Sequence, residues 1–189
     1  KTSGNNFIND VVKKKVSAIF SEKKLNVKNS DIPVITVKNI RSKLAEASSH
    51  LYNSKPSCIV AVTGTNGKTS VANFFFQLFK LNNIKAASIG TLGIETNSGI
   101  KKTQLTTSDP LALNKILSEL KKKKIDKVIL EASSHGLDQK RLDYINFKGA
   151  VFTNFSRDHL DYHKNSKKYL NSKLYLFKKY LKKIIFAWQ

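Results

Sequence analysis

The chain has 189 residues, 40% hydrophobic and 25% charged, enough to bury a core, which excludes a disordered or fibrous protein. Lys and Arg number 34 against 13 Asp and Glu, a formal charge of +21. Only Arg41, Arg141 and Arg157 are arginines, and the lysines are spread along the chain; the charge therefore reads as a compositional bias on solvated faces rather than a nucleic-acid site.

The apolar spacing of Phe7, Ile8, Val11 and Val12 predicts a helix over residues 7–15. Residues 16–20 and 32–37 read as strands, and 39–52 as an amphipathic helix with Ile40, Leu44, Ala47 and Leu51 on one face. Residues 53–57 form a polar, Pro-containing link and the expected domain boundary. From Cys58 onward strands and helices alternate. Strands are expected at 58–62, 86–92, 127–131, 149–153 and 183–188, and helices at 69–81, 111–121 and 166–180. Buried strands alternating with helices argue an α/β fold with a mostly parallel sheet, whose ligands sit beyond the carboxyl ends of the strands. A lone Cys58 allows no internal disulfide and suits the cytoplasm. No apolar run approaches a membrane span, and no signal peptide is visible. A start at Lys1 and an end in a bare strand lead us to expect a fragment, with a domain missing on each side.

The strongest chemical signal is Val62-Thr-Gly-Thr-Asn-Gly-Lys-Thr-Ser70, which follows an apolar strand and opens a helix. Glycines there let backbone N–H groups converge on a polyphosphate at a helix N-terminus, where the dipole already favours anions. Lys68 suits the β and γ phosphates, and the Thr69 hydroxyl suits Mg²⁺. An ordinary glycine turn explains Gly64 and Gly67 but not Gly-Lys-Thr. Val62 stands where the usual phosphate loop has its first glycine, which points to a subclass. Glu131 ends a buried strand, the usual place for a metal-binding acid beside such a loop. Residues 153–163 then pack two His, two Asp and an Arg directly after another strand.

Three segments, Gly64-Thr-Asn-Gly-Lys-Thr69, Glu131-Ala-Ser-Ser-His-Gly-Leu137 and Thr153-Asn-Phe-Ser-Arg-Asp-His-Leu-Asp-Tyr-His163, resemble the signatures of the Mur ligases. The pattern is most similar to the branch that adds a third residue, meso-diaminopimelate or less often L-lysine, to UDP-N-acetylmuramoyl-L-alanyl-D-glutamate. The resemblance implies that residues 1–53 are the later part of a uridine-nucleotide domain, 54–57 a linker, and 58–189 an incomplete ATP-binding central domain. The amino-acid-binding C-terminal domain would be absent, and these residues alone would ligate nothing.

The resemblance also implies roles. Gly64, Thr65, Asn66, Gly67, Lys68, Thr69 and Ser70 would bind ATP, with Asn154 and Arg157 lining the nucleotide site. Thr106, Thr107, Ser133, Gln139 and Arg141 would hold the muramoyl peptide, although Ser108 stands where relatives often have proline. Thr69, Glu131, His159 and a carbamylated Lys173 would bind Mg²⁺. Lys68, Glu131, His159 and Lys173 would form the catalytic set of a monomeric cytoplasmic enzyme. Its partners would be the UDP-linked dipeptide and an amino acid, with neither nucleic acid nor membrane insertion. The alternatives are another ligase of the superfamily, such as folylpolyglutamate synthetase, or a P-loop nucleic-acid-binding ATPase.

Overall fold

The computed structural model describes residues 4–25, 27 and 31–180; the strand expected at 183–188 lies outside them. The chain divides into two compact units, Lys1–Lys43 and Leu44–Gln189.

In the first unit a 3₁₀ turn, Gly4–Phe7, leads into α1 (Ile8–Lys13). Two short parallel strands follow, β1 (Ile19–Ser21) and β2 (Val34–Thr36), in the register Ile19↔Val34. The next helix, α2 (Ile40–Leu51), crosses the division between the units. Its first turn is capped by Asn39, whose Oδ1 accepts the Ser42 N–H at 2.8 Å.

The second unit is an α/β domain. Its strands are β3 (Cys58–Thr63), β4 (Ala86–Gly90), β5 (Gly93–Thr96), β6 (Gly99–Lys101), β7 (Lys127–Glu131) and β8 (Gly149–Phe152). They form one sheet in the order β6-β5-β4-β7-β3-β8. Strands β4, β7, β3 and β8 run parallel, while β5 and β6 extend the edge as an antiparallel hairpin. The main helices are α3 (Lys68–Leu81), α4 (Pro110–Lys122) and α7 (Ser166–Tyr180). Between the last two lie the short helices α5 (Ser134–Asp138) and α6 (Leu160–His163).

The apolar runs of β3 and β7 are continuous because helices cover both faces of the sheet. Ile59, Ala61, Val128 and Leu130 pack with Leu113 and Leu117 of α4 and Leu176 of α7. Val62 and Ile129 face the other way and pack with Ala72, Val71 and Phe75 of α3. This two-sided burial fixes the ends of β3 and β7, from which the candidate site projects. Helix α4 starts sharply because Asp109 Oδ1 accepts the N–H groups of Leu111 and Ala112, each at 3.0 Å, with Pro110 at the first helical position.

The strand expected over 86–92 ends at Gly90, and the chain turns back into the β5–β6 hairpin. Asn97-Ser98-Gly99 makes that turn possible, and all three residues of β6 are exposed, so no alternating apolar pattern announces it.

Candidate active site

The loop between β3 and α3 has the geometry that its glycines permit. Gly64 lies at φ +146° and Gly67 at φ +81°, conformations that side chains rarely adopt. Gly64 also faces a tight wall: a Cβ there would sit 1.9 Å from Thr153 Oγ1.

The segment after β8 braces the loop. Asn154 accepts the Thr65 N–H through its carbonyl (3.0 Å) and the Asn66 N–H through Oδ1 (2.9 Å). Thr153 donates to the Asn66 carbonyl at 2.5 Å, and the Ser156 N–H donates to Thr65 Oγ1 at 3.0 Å. Lys68 folds back over its own loop, donating to the carbonyls of Gly64 (3.0 Å) and Thr65 (2.8 Å). Burial pulls the Lys68 ammonium below its ordinary pKa, while Glu131 and Asp158 oppose that shift.

Lys173, from α7, is 1% exposed and donates to the same Gly64 carbonyl at 2.7 Å. Burial, then repulsion from Lys68, pushes its ammonium down from 10.5 to about 8.

Glu131 is 2% exposed at the end of β7. Its Oε2 accepts from Thr69 Oγ1 (3.1 Å) and Thr91 Oγ1 (3.2 Å), and its Oε1 accepts the Thr91 N–H (3.0 Å). Gly90 makes room for that carboxylate, since a Cβ there would lie 2.0 Å from Glu131 Oε1. A serine-type hydroxyl beside a carboxylate is a hard-oxygen donor pair of the kind Mg²⁺ takes, so Thr69 and Glu131 fit that ion. Among the described residues no group of three or more His, Cys, Asp or Glu side chains converges as a metal site.

A second network extends from Glu131. Its carbonyl accepts from Thr107 Oγ1 at 2.8 Å, and Thr107 Oγ1 accepts the Ser133 N–H at 3.0 Å. Ser133 caps α5 by accepting the Gly136 N–H. Arg141 donates to the Thr107 carbonyl (2.6 Å) and twice to Gln139 Oε1 (3.2 and 2.7 Å). Thr106 meets Thr91, hydroxyl to hydroxyl, at 3.1 Å.

His159 sits in the left-handed region at φ 51°, its ring 4.9 Å from that of His135 and 6.1 Å from that of Tyr169. His135 also stacks on Tyr162 at 4.1 Å. Burial lowers the pKa of both His135 and His163, so the neutral imidazoles are favoured.

The expected residues thus form three groups. Gly64, Thr65, Asn66, Gly67, Lys68, Asn154 and Lys173 shape the loop. Glu131 meets Thr69 directly and Thr106 through Thr91. Thr107, Ser133, Gln139 and Arg141 share one hydrogen-bonded chain. Ser70 is exposed on the first turn of α3, and His159 joins an aromatic cluster rather than bonding to Glu131. Sequence reasoning missed Thr91, Thr153, Ser156 and Tyr169. Thr153 and Ser156 lie inside the quoted third motif and could have been found there.

A glycine loop gripped between β3 and α3 at the carboxyl edge of a parallel sheet places the chain among P-loop α/β proteins. The family model of the Mur ligase middle domain matches residues 62–188, and the chain belongs to the Mur ligase family. It is 44% identical over 185 residues to the UDP-N-acetylmuramoyl-L-alanyl-D-glutamate–2,6-diaminopimelate ligase of Rickettsia bellii, covering 96% of this chain and 38% of that one. The enzyme of the same name from Brucella melitensis is 41% identical over 191 residues, covering 99% of this chain and 39% of the relative. The chain therefore spans under two fifths of the length of these relatives. A solved structure of a ligase of that name superposes with TM-score 0.77 at 33% identity, over 91% of this chain and 35% of the other. MurF from Thermotoga maritima, solved in complex with ADP, shares the fold at TM-score 0.56 and 19% identity, over 96% of this chain and 38% of that one.

Proposed function

We propose that the protein is the ATP-dependent ligase that joins meso-diaminopimelate to the D-glutamate of UDP-N-acetylmuramoyl-L-alanyl-D-glutamate. The observation that supports it most is the Lys68 loop beside the Thr69–Glu131 pair (3.1 Å), in a chain 44% identical to a ligase of that name. L-Lysine is the less favoured amine. On this reading residues 1–53 belong to a uridine-nucleotide domain, 54–57 link it, and 58–189 belong to the ATP-binding domain.

A carboxylate resists attack by an amine until one oxygen becomes a leaving group. The γ-phosphoryl of ATP passes to an oxygen of the D-glutamyl γ-carboxylate, giving an acyl phosphate and ADP. The neutral amine attacks the acyl carbon, a tetrahedral intermediate forms, and phosphate leaves as the amide nitrogen sheds a proton. Lys68 exchanges the carbonyls of Gly64 and Thr65 for the phosphate oxygens, neutralising charge on the transferred group. Thr69 and Glu131, joined on this reading by His159 and Lys173, would hold Mg²⁺, and that ion would supply further neutralisation of phosphate charge.

Gly64 to Ser70 and Asn154 form the nucleotide site. Thr106, Thr107, Ser133, Gln139 and Arg141 hold the muramoyl dipeptide, the Arg141 guanidinium suiting an anionic group. Lys173 acts as a carbamate, because a buried amine near neutrality reacts with carbon dioxide and the product is an oxygen ligand. The enzyme works in the cytoplasm as a monomer, with no nucleic-acid partner. Among the described residues no helix is long and apolar enough to cross a membrane.

The test is ligation by the whole protein with ATP, Mg²⁺, the UDP-linked dipeptide and either amine. The UDP-linked tripeptide should form faster with meso-diaminopimelate than with L-lysine. ATP turnover that ignores the dipeptide would sink the reading.

A further inference from the structure

Tyr169 has no part in the chemistry above, yet it touches both Thr65 of the loop and Lys173, which supports it. It is 1% exposed on α7. Its hydroxyl lies 3.2 Å from Thr65 Oγ1, itself nearly buried. One helical turn on, the Lys173 ammonium sits 4.4 Å above the Tyr169 ring while donating to the Gly64 carbonyl. Two side chains on one face of α7 therefore grip two successive loop residues, Gly64 by its carbonyl and Thr65 by its hydroxyl. The Phe155 ring lies 5.4 Å from that of Tyr169, and Phe155 follows in sequence the Asn154 that accepts the N–H groups of Thr65 and Asn66. The His163 and His159 rings complete the surround at 5.3 and 6.1 Å.

Lys68 now donates to the carbonyls of Gly64 and Thr65. Once it turns to a phosphate, those carbonyls lose a donor, and the loop's shape rests on its remaining supports. We propose that Tyr169 is a positioning residue, holding the Thr65 hydroxyl of the phosphate loop against α7 so that the loop keeps its nucleotide-binding shape after Lys68 leaves it. This inference rests on the nucleotide-binding reading given above.

The test uses the whole protein and Tyr169→Phe, which keeps the ring and removes only the hydroxyl. A non-hydrolysable ATP analogue with Mg²⁺ and the UDP-linked dipeptide are titrated separately. The analogue should bind about three- to tenfold more weakly, the scale of one lost hydrogen bond. Dipeptide affinity should stay within about twofold, and the thermal midpoint within about 3 °C. Thr65→Val approaches the same bond from the other side, and the double variant should be no weaker for the analogue than the poorer single variant. Wild-type analogue affinity in Tyr169→Phe overturns the proposal, as does equal weakening of both ligands or full additivity with Thr65→Val. Failure of the wild-type protein to bind the analogue overturns the nucleotide-binding reading together with this one. Binding by wild type that is indifferent to Tyr169→Phe overturns this inference alone.

Discussion

Replacing Lys173 by Met should change how the protein's stability depends on pH. Lys173 is 1% exposed and burial brings its pKa from 10.5 to about 8. Because the folded value lies below the unfolded one, the unfolded state holds more protons between these limits, and stability rises with pH across that window. The folded value lies 10.5 − 8 = 2.5 below the unfolded one, which at about 1.4 kcal/mol for each whole step of pKa gives a full span of roughly 3.5 kcal/mol. Between pH 7 and 10 about 2.5 kcal/mol of that should be realised. Urea unfolding at both pH values, in buffer stripped of carbon dioxide so that the amine stays unmodified, reads this directly. The wild type should gain about 2.5 kcal/mol relative to Lys173→Met on going from pH 7 to 10. Comparing the two proteins cancels the groups whose shifts do not involve Lys173: Lys55, which is lowered, and Lys179 and Tyr180, which are raised. Parallel stability curves for the two proteins would refute the burial of a strained ammonium at Gly64.

Further expectations come from other parts of the second unit. Gly64→Ala forces a Cβ to 1.9 Å from Thr153 Oγ1; strain of about 1–3 kcal/mol should raise the nucleotide Kd about ten- to a hundredfold by titration. Asp143 is 1% exposed and accepts from Lys179 at 2.5 Å, from Tyr175 at 3.2 Å and from Tyr180. Asp143→Ala should therefore cost about 3–5 kcal/mol in urea unfolding, and a loss under about 1 kcal/mol would contradict the buried network. Lys173→Arg keeps the cation but cannot form the carbamate, so ligation by the whole protein should all but vanish; near-normal rates would remove Lys173 from the metal site.

The chemistry of the loop was legible because each part has a local signature. An apolar run ends in two glycines, then Lys68 and Thr69 open an amphipathic helix, and β3 and α3 follow within a residue of the expected limits. Strand β7 and helix α7 likewise match the expected 127–131 and 166–180, the first through its unbroken apolar run and the second through its helical spacing. The β5–β6 hairpin was hidden because its strands are short and β6 is wholly exposed, leaving no alternation to read. Thr91 was missed for a different reason. A lone threonine after a strand has no motif, and its partner Glu131 is 40 residues away. Tyr169 reads as one more core aromatic on a helix, since Thr65 lies 104 residues distant. The roles of Thr106, Thr107, Gln139 and Arg141 came from resemblance alone, because no local pattern predicts that Arg141 reaches back 34 residues to the Thr107 carbonyl.

The most direct test of the central claim follows oxygen from the dipeptide. The D-glutamyl γ-carboxylate of the UDP-linked substrate is labelled with ¹⁸O and ligated by the whole protein with ATP, Mg²⁺ and meso-diaminopimelate. Transfer through an acyl phosphate predicts one labelled oxygen in each phosphate released, matched one to one by tripeptide, with Lys68→Ala losing both signals together. Tripeptide formed with unlabelled phosphate, or labelled phosphate undiminished in Lys68→Ala, would contradict the assignment of this loop as the phosphoryl-transfer site.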